Sequence, residues 1–269
     1  MKKTLPKILA AGAAFSSGFL FCLWFMTASV FPEAVSVPVS GGKDLPVLVI
    51  DAGHGGFDGG AQAEDGTKEK DINLAISLEL ADIAKQYPVE VILTREQDEA
   101  LYMDETSRTK KREDLLRRKE IMKEAGADLA VSIHLNSFPQ NTSVYGAQVF
   151  YPADEPGTQS TRTDEQTGEQ SSRALAESVQ NALETDISDG RERTAMKKKD
   201  ILLFQDPPCR IILVECGFLS CPAEAEKLKT PEYQRKLAEA IWKGVNEKLC
   251  LEERKNIPVV ESANRQKTE

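Results

Sequence analysis

Three apolar segments of the sequence each lead into a side chain that can bind a metal ion or transfer a proton. These segments and side chains are 47–50 with His54 shortly after it, 129–133 followed by His134, and 211–214 followed by Glu215. The carboxyl ends of parallel strands meet at one edge of an α/β sheet, so we expect the three side chains to converge on a single site. Two imidazoles and one carboxylate are a common set of catalytic zinc ligands, with water in the fourth position.

His54 and His134 are the only histidines in the sequence. A purely structural interpretation, in which each ring is hydrogen-bonded by the backbone, is the alternative to a metal site. The third zinc ligand is left open by the residues alone. Four acidic side chains follow His54 closely enough to reach it, and charge does not choose among them: Glu64, Asp65, Glu69 and Asp71.

The amino terminus is typical of an exported protein. Residues 8–31 carry no charge and follow three lysines, which predicts an uncleaved membrane anchor, with a cleaved signal peptide as the alternative. The lysines are expected to stay inside and the rest of the chain to lie outside the membrane. The predicted organisation is an anchor in 1–31, a tether in 32–44, a catalytic domain in 45–250 and a polar tail in 251–269.

The charge distribution argues against a nucleic-acid partner. The net charge is −9. Three lysines and one glutamate put +2 on the first forty residues, so the remainder carries −11. An acidic domain offers no cationic surface for phosphates. The five cysteines form no CxxC pair, so those beyond the anchor are interpreted as small core residues or thiols of no assigned role.

Strand and helix patterns alternate along the domain. Strands are predicted over 47–50, 89–94, 128–133, 146–151 at a sheet edge, 201–204 and 211–215, and helices over 71–86 with Asp71 as N-cap, 115–125, 171–185 and 232–249. Residues 96–112 and 154–170 are predicted loops. This alternation predicts an α/β fold, a three-layer sandwich with a mostly parallel sheet of about six strands flanked by helices.

Four motifs, in order and spacing, resemble the zinc-dependent N-acetylmuramoyl-L-alanine amidases of the amidase 3 type. They are DAGHGG at 51–56, KEKDINLA at 68–75, SIHLN at 132–136 and VECGFLS at 214–220. The resemblance covers about residues 46–248. It implies one Zn²⁺ per chain bound by His54, Glu69 and His134, with Glu215 as the catalytic glutamate. It also implies a peptidoglycan substrate, cut between muramic acid and L-alanine.

A finer resemblance is to the membrane-anchored sporulation amidases that strip stem peptides from cortex muramic acid before muramic lactam forms. Some of these enzymes work with a lipoprotein partner, so a protein activator is possible here. The alternatives are another zinc amidohydrolase of the cell wall, either a carboxypeptidase or a deacetylase, and a non-catalytic peptidoglycan-binding module. Asp51 and Asn136 are weaker candidates for orienting ligands or substrate. The basic residues in 191–199 are interpreted as a solvated surface that can also meet stem-peptide carboxylates.

Overall fold

A computed structural model describes residues 45–102, 108–153, 171–187 and 192–255. The predicted anchor, the tether, the insertion 154–170 and the end of the tail lie outside the described residues. Within the described ranges, no helix has the length and apolar character needed to cross a membrane.

The described chain alternates strands and helices in the predicted manner. In order, the elements are β1 Val47–Ala52, α1 Glu69–Ala84, β2 Glu90–Leu93, α2 Lys110–Glu124, β3 Leu129–Asn136, β4 Gln148–Pro152, α3 Ser172–Ile187, β5 Met196–Lys198, a 3₁₀ turn Leu202–Phe204, β6 Arg210–Phe218, α4 Pro222–Leu228 and α5 Pro231–Lys255.

These strands form one six-stranded sheet in the order β2-β1-β3-β6-β4-β5. Neighbouring strands are parallel except for β4, which runs antiparallel to β6. β1, β3 and β6 occupy adjacent central positions, and their apolar residues are almost completely buried. Their carboxyl ends therefore lie together at one edge of the sheet.

Helices cover both faces of the sheet and complete the predicted three-layer sandwich. On one face, α1, α3, α4 and α5 pack with the sheet around the larger core, which includes Ile76, Val179 and Ile241. On the other face, α2 and the 3₁₀ turn enclose a smaller core around Met122 and Phe204. The cost of ordering this chain is offset mainly by the apolar area buried in these two cores.

The predicted fifth strand is wrong. Residues 201–204 are apolar, but Leu203 and Phe204 are buried in the smaller core as part of the 3₁₀ turn. The strand is instead Met196–Lys198, whose residues are all exposed. Because β5 takes the sheet edge, β4 is one strand inside the edge rather than at it.

Some helix limits also differ from those expected. α1 begins at Glu69, so Asp71 lies in its first turn and Lys68 occupies the N-cap position. α2 begins at Lys110 and takes in the end of the predicted loop 96–112. Gly126, with φ 62°, stands just after α2 and acts as the expected helix stop. α5 continues to Lys255 and overlaps the start of the predicted tail.

Candidate metal centre and active site

The loop after β1 holds His54 in an unusual backbone conformation. His54 has φ 61°, in the left-handed region that few non-glycine residues adopt. Buried cations fix the carbonyl groups around it. Arg118 donates to the carbonyl oxygens of Ala52 and His54, each at 2.7 Å, and Arg95 donates to those of Ala52 at 2.9 Å and Gly53 at 3.0 Å. These bonds compensate for the local strain and set the direction of the imidazole.

The first turn of α1 selects one of the four acidic candidates. Glu69 is 3% exposed, whereas Glu64, Asp65 and Asp71 are exposed. Asp65 forms a surface ion pair with Lys229 instead, at 2.6 Å. The structure therefore brings Glu69, and none of the other three, to the histidines.

His54, Glu69 and His134 converge on one point. The Oε1 atom of Glu69 lies 3.1 Å from Nε2 of His54 and 3.0 Å from Nδ1 of His134. One ligand atom from each of the three residues lies within 4.8 Å of the others. The donor set and its convergence fit the three protein ligands of a catalytic zinc ion.

Two glycines allow this close approach. A Cβ atom on Gly53 would lie 2.3 Å from Nε2 of the His134 ring. A Cβ atom on Gly60 would lie 2.5 Å from Oε2 of Glu69 and 2.8 Å from Cδ2 of His54. All three distances are far below van der Waals contact, so side chains at these positions would displace the candidate ligands.

Glu215 lies beside the three converging residues without joining them. Glu215 in β6 is paired in register with His134 in the neighbouring strand β3. Its Oε2 atom is buried and has no hydrogen-bond partner among the described residues. Burial raises the pKa of the Glu215 carboxyl, while the nearby His134 opposes that rise. A buried carboxyl oxygen with an open acceptor position is suited to receiving a proton. We call His54, Glu69, His134 and Glu215 the ligand cluster.

Two residues that the sequence analysis missed orient this cluster. Asp58 Oδ2 lies 3.0 Å from Nδ1 of His54, which leaves Nε2 directed at Glu69. Asn73 donates from Nδ2 to Oε1 of Glu69 at 3.2 Å. Carboxylates and amides commonly orient metal ligands in this way. The sequence held a signal for each of these residues. Asp58 stands four residues after His54, and Asn73 stands one helical turn after Glu69.

Asp51 belongs to a separate group of side chains. It is fully buried and accepts hydrogen bonds from Thr94 at 2.8 Å, Ser132 at 2.6 Å and Arg118 at 2.6 Å. Burial would raise the pKa of Asp51, but Arg118 and these hydroxyl donors hold it below its usual value. We call Asp51, Thr94, Ser132 and Arg118 the Asp51 cluster. Asn136, the other weak candidate, accepts from the backbone N–H of Ser137.

The basic residues of β5 lie on the exposed sheet edge. The Nζ atom of Lys198 is 4.5 Å from the centre of the Phe150 ring, and the guanidinium of Arg193 is 5.8 Å from that of Phe218. Arg191 lies outside the described residues. Cys209, Cys216 and Cys221 are free thiols, the last two buried, as expected for small core residues.

The hydrogen bonds of the ligand cluster favour a protonated His54 and an ionised Glu69. Burial alone would lower the pKa of His54, but hydrogen bonds with Asp58 and Glu69 outweigh it and raise that pKa to about 9. Burial would raise the pKa of Glu69, yet its bonds with His134 and His54 lower it. Metal binding must therefore displace a proton from His54 near neutral pH.

Comparisons with known proteins identify the family of this chain. A family model described as N-acetylmuramoyl-L-alanine amidase matches residues 48–247. The germination-specific N-acetylmuramoyl-L-alanine amidase of Bacillus subtilis is 34% identical over 215 residues, which are 78% of this chain and 81% of that protein.

Solved structures share the fold. The structure of the CwlD amidase from Clostridioides difficile in complex with the GerS lipoprotein is 40% identical, with a TM-score of 0.68, and the match covers 77% of this chain and 99% of that one. N-acetylmuramoyl-L-alanine amidase AmiC2 of Nostoc punctiforme is 31% identical, with a TM-score of 0.63, over 78% of this chain and 99% of that one.

Proposed function

We propose that this chain, which belongs to the N-acetylmuramoyl-L-alanine amidase family, cleaves peptidoglycan with one zinc ion bound by His54, Glu69 and His134. The bond cut is the amide that joins muramic acid to L-alanine. The observation that carries the zinc assignment is the convergence of three ligand atoms within 4.8 Å, beside a buried carboxyl oxygen that lacks a partner.

The two glutamates of the ligand cluster have different surroundings and therefore different proposed roles. The carboxylate of Glu69 accepts hydrogen bonds from the backbone N–H groups of Leu135 at 3.0 Å and Ala61 at 2.8 Å. It also accepts one from the side-chain amide of Asn73. Such a fixed carboxylate is suited to holding a metal ion. Oε2 of Glu215 has no such bond and stays available to a reacting group.

Zinc, when bound, supplies a Lewis acid that polarises the scissile carbonyl and lowers the pKa of water. In the proposed reaction, Glu215 takes a proton from the attacking water as the new carbon–oxygen bond forms. It then gives that proton to the amine of L-alanine as the carbon–nitrogen bond breaks. The raised pKa of Glu215 favours both transfers, because the group holds a proton more readily than an exposed carboxyl does.

The test compares zinc content with turnover in four variants. His54→Ala, Glu69→Ala and His134→Ala should each lose stably bound zinc and activity together, because two protein ligands hold the ion weakly. Glu215→Gln should keep its zinc and lose a factor on the order of 10² to 10⁴ in turnover. Zinc loss in Glu215→Gln would make Glu215 a ligand, and near-normal turnover would remove it from the reaction.

The biological setting is proposed to be maturation of the spore cortex. This proposal is supported by the 34% identity to a germination-specific amidase. A cell lacking this chain should then make cortex with uncleaved stem peptides and unchanged vegetative wall. Mass spectrometry of muropeptides from both wall types measures this, and an altered vegetative wall alone would contradict it.

Two further features are proposed from the sequence and from a relative. Residues 8–31 anchor the chain so that the catalytic domain acts outside the cytoplasmic membrane, as their length and preceding lysines favour. A protein activator is proposed because the 40% identical CwlD amidase forms a complex with a lipoprotein. Membrane fractionation and co-purification from sporulating cells test these two proposals separately.

A further inference from the structure

Aromatic side chains follow both histidines of the ligand cluster and are exposed to solvent. Phe57 stands three residues after His54 and is 55% exposed, and Phe138 stands four residues after His134 and is 44% exposed. Among the described residues, the only other exposed aromatic side chain is Tyr87, on the segment between α1 and β2. Exposed aromatic side chains are thus concentrated in the two loops that follow β1 and β3, close in sequence to the histidines.

Phe57 is presented by a tightly fixed turn. The backbone N–H and C=O groups of Gly55 bond those of Asp58, at 3.0 and 3.1 Å. Two side chains hold the turn through the backbone of Gly56. Asp98 accepts a hydrogen bond from the N–H of Gly56, and Lys70 donates one to the carbonyl oxygen of Gly56, each at 2.8 Å. A fixed backbone under an exposed ring means that little conformational entropy is lost when a ligand covers that ring.

The Phe57 ring is also braced from the side. The ring of Tyr102 meets it edge-on, with centroids 5.3 Å apart and planes at 74°. The same turn contains Asp58, whose carboxylate contacts His54. Phe57 therefore stands next to the residue that orients His54, and the orientation of its ring is set by a second aromatic side chain.

Phe138 is fixed to the neighbouring loop. Its backbone N–H donates to Oγ of Ser220 at 2.8 Å, which joins the loop after β3 to the segment after β6. Phe57 and Phe138 thus belong to different loops at the same carboxyl edge, since β1, β3 and β6 are adjacent in the sheet.

We propose that Phe57 and Phe138 bind sugar rings of the glycan strand that neighbour the muramic acid being cleaved. The chemistry of the substrate supports this occupant, because the scissile carbonyl is attached to a sugar and the strand must continue past the reacting centre. The C–H groups on one face of a sugar ring suit the electron-rich face of an aromatic ring. This inference rests on the proposed function of the ligand cluster.

The test compares a polymer with a single-sugar substrate. In the full chain, Phe57→Ala and Phe138→Ala should each raise KM for insoluble peptidoglycan about tenfold with kcat unchanged. Both variants should cleave a soluble N-acetylmuramoyl-tripeptide, which lacks neighbouring sugars, at the wild-type rate. Phe57→Trp keeps an aromatic ring and should retain the wild-type KM. Tyr87→Ala is the matched control, because Tyr87 is 44% exposed, as Phe138 is, and lies elsewhere on the domain between α1 and β2.

Equal losses on both substrates would overturn the proposal, because the rings would then act on the muramic acid or the peptide. An unchanged KM for peptidoglycan in both variants would overturn it as well. A second measurement separates it from the zinc reaction: sedimentation of the Glu215→Gln full chain with insoluble peptidoglycan, in detergent. Weaker binding after Phe57→Ala supports the glycan contact even if the wild-type chain cleaves neither substrate, and unchanged binding contradicts it.

Discussion

The Asp51 cluster and the ligand cluster lie side by side at the carboxyl ends of β1 and β3, yet their hydrogen bonding differs sharply. In the Asp51 cluster, both carboxylate oxygens of a fully buried aspartate have donors, and a guanidinium balances the charge. In the ligand cluster, two imidazoles face the same carboxylate oxygen of Glu69, and Oε2 of Glu215 has no partner.

This difference separates side chains that stabilise the fold from side chains that are proposed to react. A fully satisfied buried ionic network stiffens its surroundings, and removing one member is costly. Unsatisfied polar groups reduce stability and are retained where a ligand or proton completes them. Charge alone would not distinguish the two clusters, because each contains a buried carboxylate whose pKa is lowered by its partners, whereas their hydrogen bonding does.

The largest expected effect is the loss of stability when the Asp51 cluster is broken. Arg118→Met leaves Asp51 buried and without its counter-charge, so the free energy of unfolding should fall by about 3–5 kcal/mol. Denaturant titration of the metal-free protein measures this. Arg117→Met is the control, since Arg117 is 40% exposed and its ion pair with Glu124 should contribute at most about 1 kcal/mol. Equal stabilities of the two variants would remove the proposed contrast between the clusters.

A second prediction concerns the space behind His134. Gly53→Ala places a Cβ atom against the imidazole, so zinc affinity should fall about 10–100-fold, the usual range for a disturbed ligand orientation. Competition with a chelator gives the affinity. Gly59→Ala is the matched variant in the same loop, because its Cβ atom would meet only the flexible chain of Lys68, at 3.3 Å. Similar affinities in both variants would show that the ring can move aside.

The third prediction follows from the pKa of His54 in metal-free protein. The folded-state pKa of about 9 lies above the ordinary value of 6.5, so protonation of His54 stabilises the fold. That contribution is complete below pH 6.5 and is lost as the pH rises through about 9. The pKa difference corresponds to about 3 kcal/mol, which the partial solvent exposure of the His54 side chain reduces to about 2 kcal/mol. Unfolding at a series of pH values should show the loss, and His54→Gln should abolish that part of it. A wild-type curve identical to that of His54→Gln would contradict the assignment.

The smallest effect should have the opposite sign. Glu215→Gln removes the cost of a buried carboxylate without a partner, so the metal-free variant should be more stable than wild type by about 1 kcal/mol while losing turnover. Thermal unfolding of the two proteins compares them. A clear loss of stability would place Glu215 with the residues that hold the fold, as in the Asp51 cluster.

Much of the candidate site was predictable because its residues come at or near the carboxyl ends of apolar strands. His54 follows β1, whereas His134 and Glu215 lie in the carboxyl-terminal halves of β3 and β6, which continue past them. The carboxyl ends of parallel strands converge by topology. The choice of Glu69 among four acids was not predictable from charge. Only the resemblance to amidases suggested it, and only the burial of Glu69 at the start of α1 separates it from the exposed acids.

Other features could not be predicted because they depend on contacts between distant parts of the chain. Arg118 was one of many charged residues in a polar stretch, and its 1% exposure follows from Asp51, 67 positions earlier. The fifth strand was misplaced because apolar residues 201–204 fit a strand pattern, whereas β5 pairs with β4 at the sheet edge and all of its residues are exposed.

The antiparallel direction of β4 determines where the undescribed segment 154–170 is attached. β4 starts beside Glu215 and runs antiparallel to β6. The chain therefore leaves the sheet near the amino-terminal end of β6, opposite the end that holds the ligand cluster. It is described again near Ser172, whose Oγ accepts from the N–H of Ile211, four residues before Glu215 along β6. At 3.3 Å per residue this anchoring point is about 13 Å from the glutamate. Both attachment points lie away from the end of the sheet that holds the ligand cluster, so the described residues 153 and 171 are suitable positions for a fluorophore that follows the protein while the reaction proceeds.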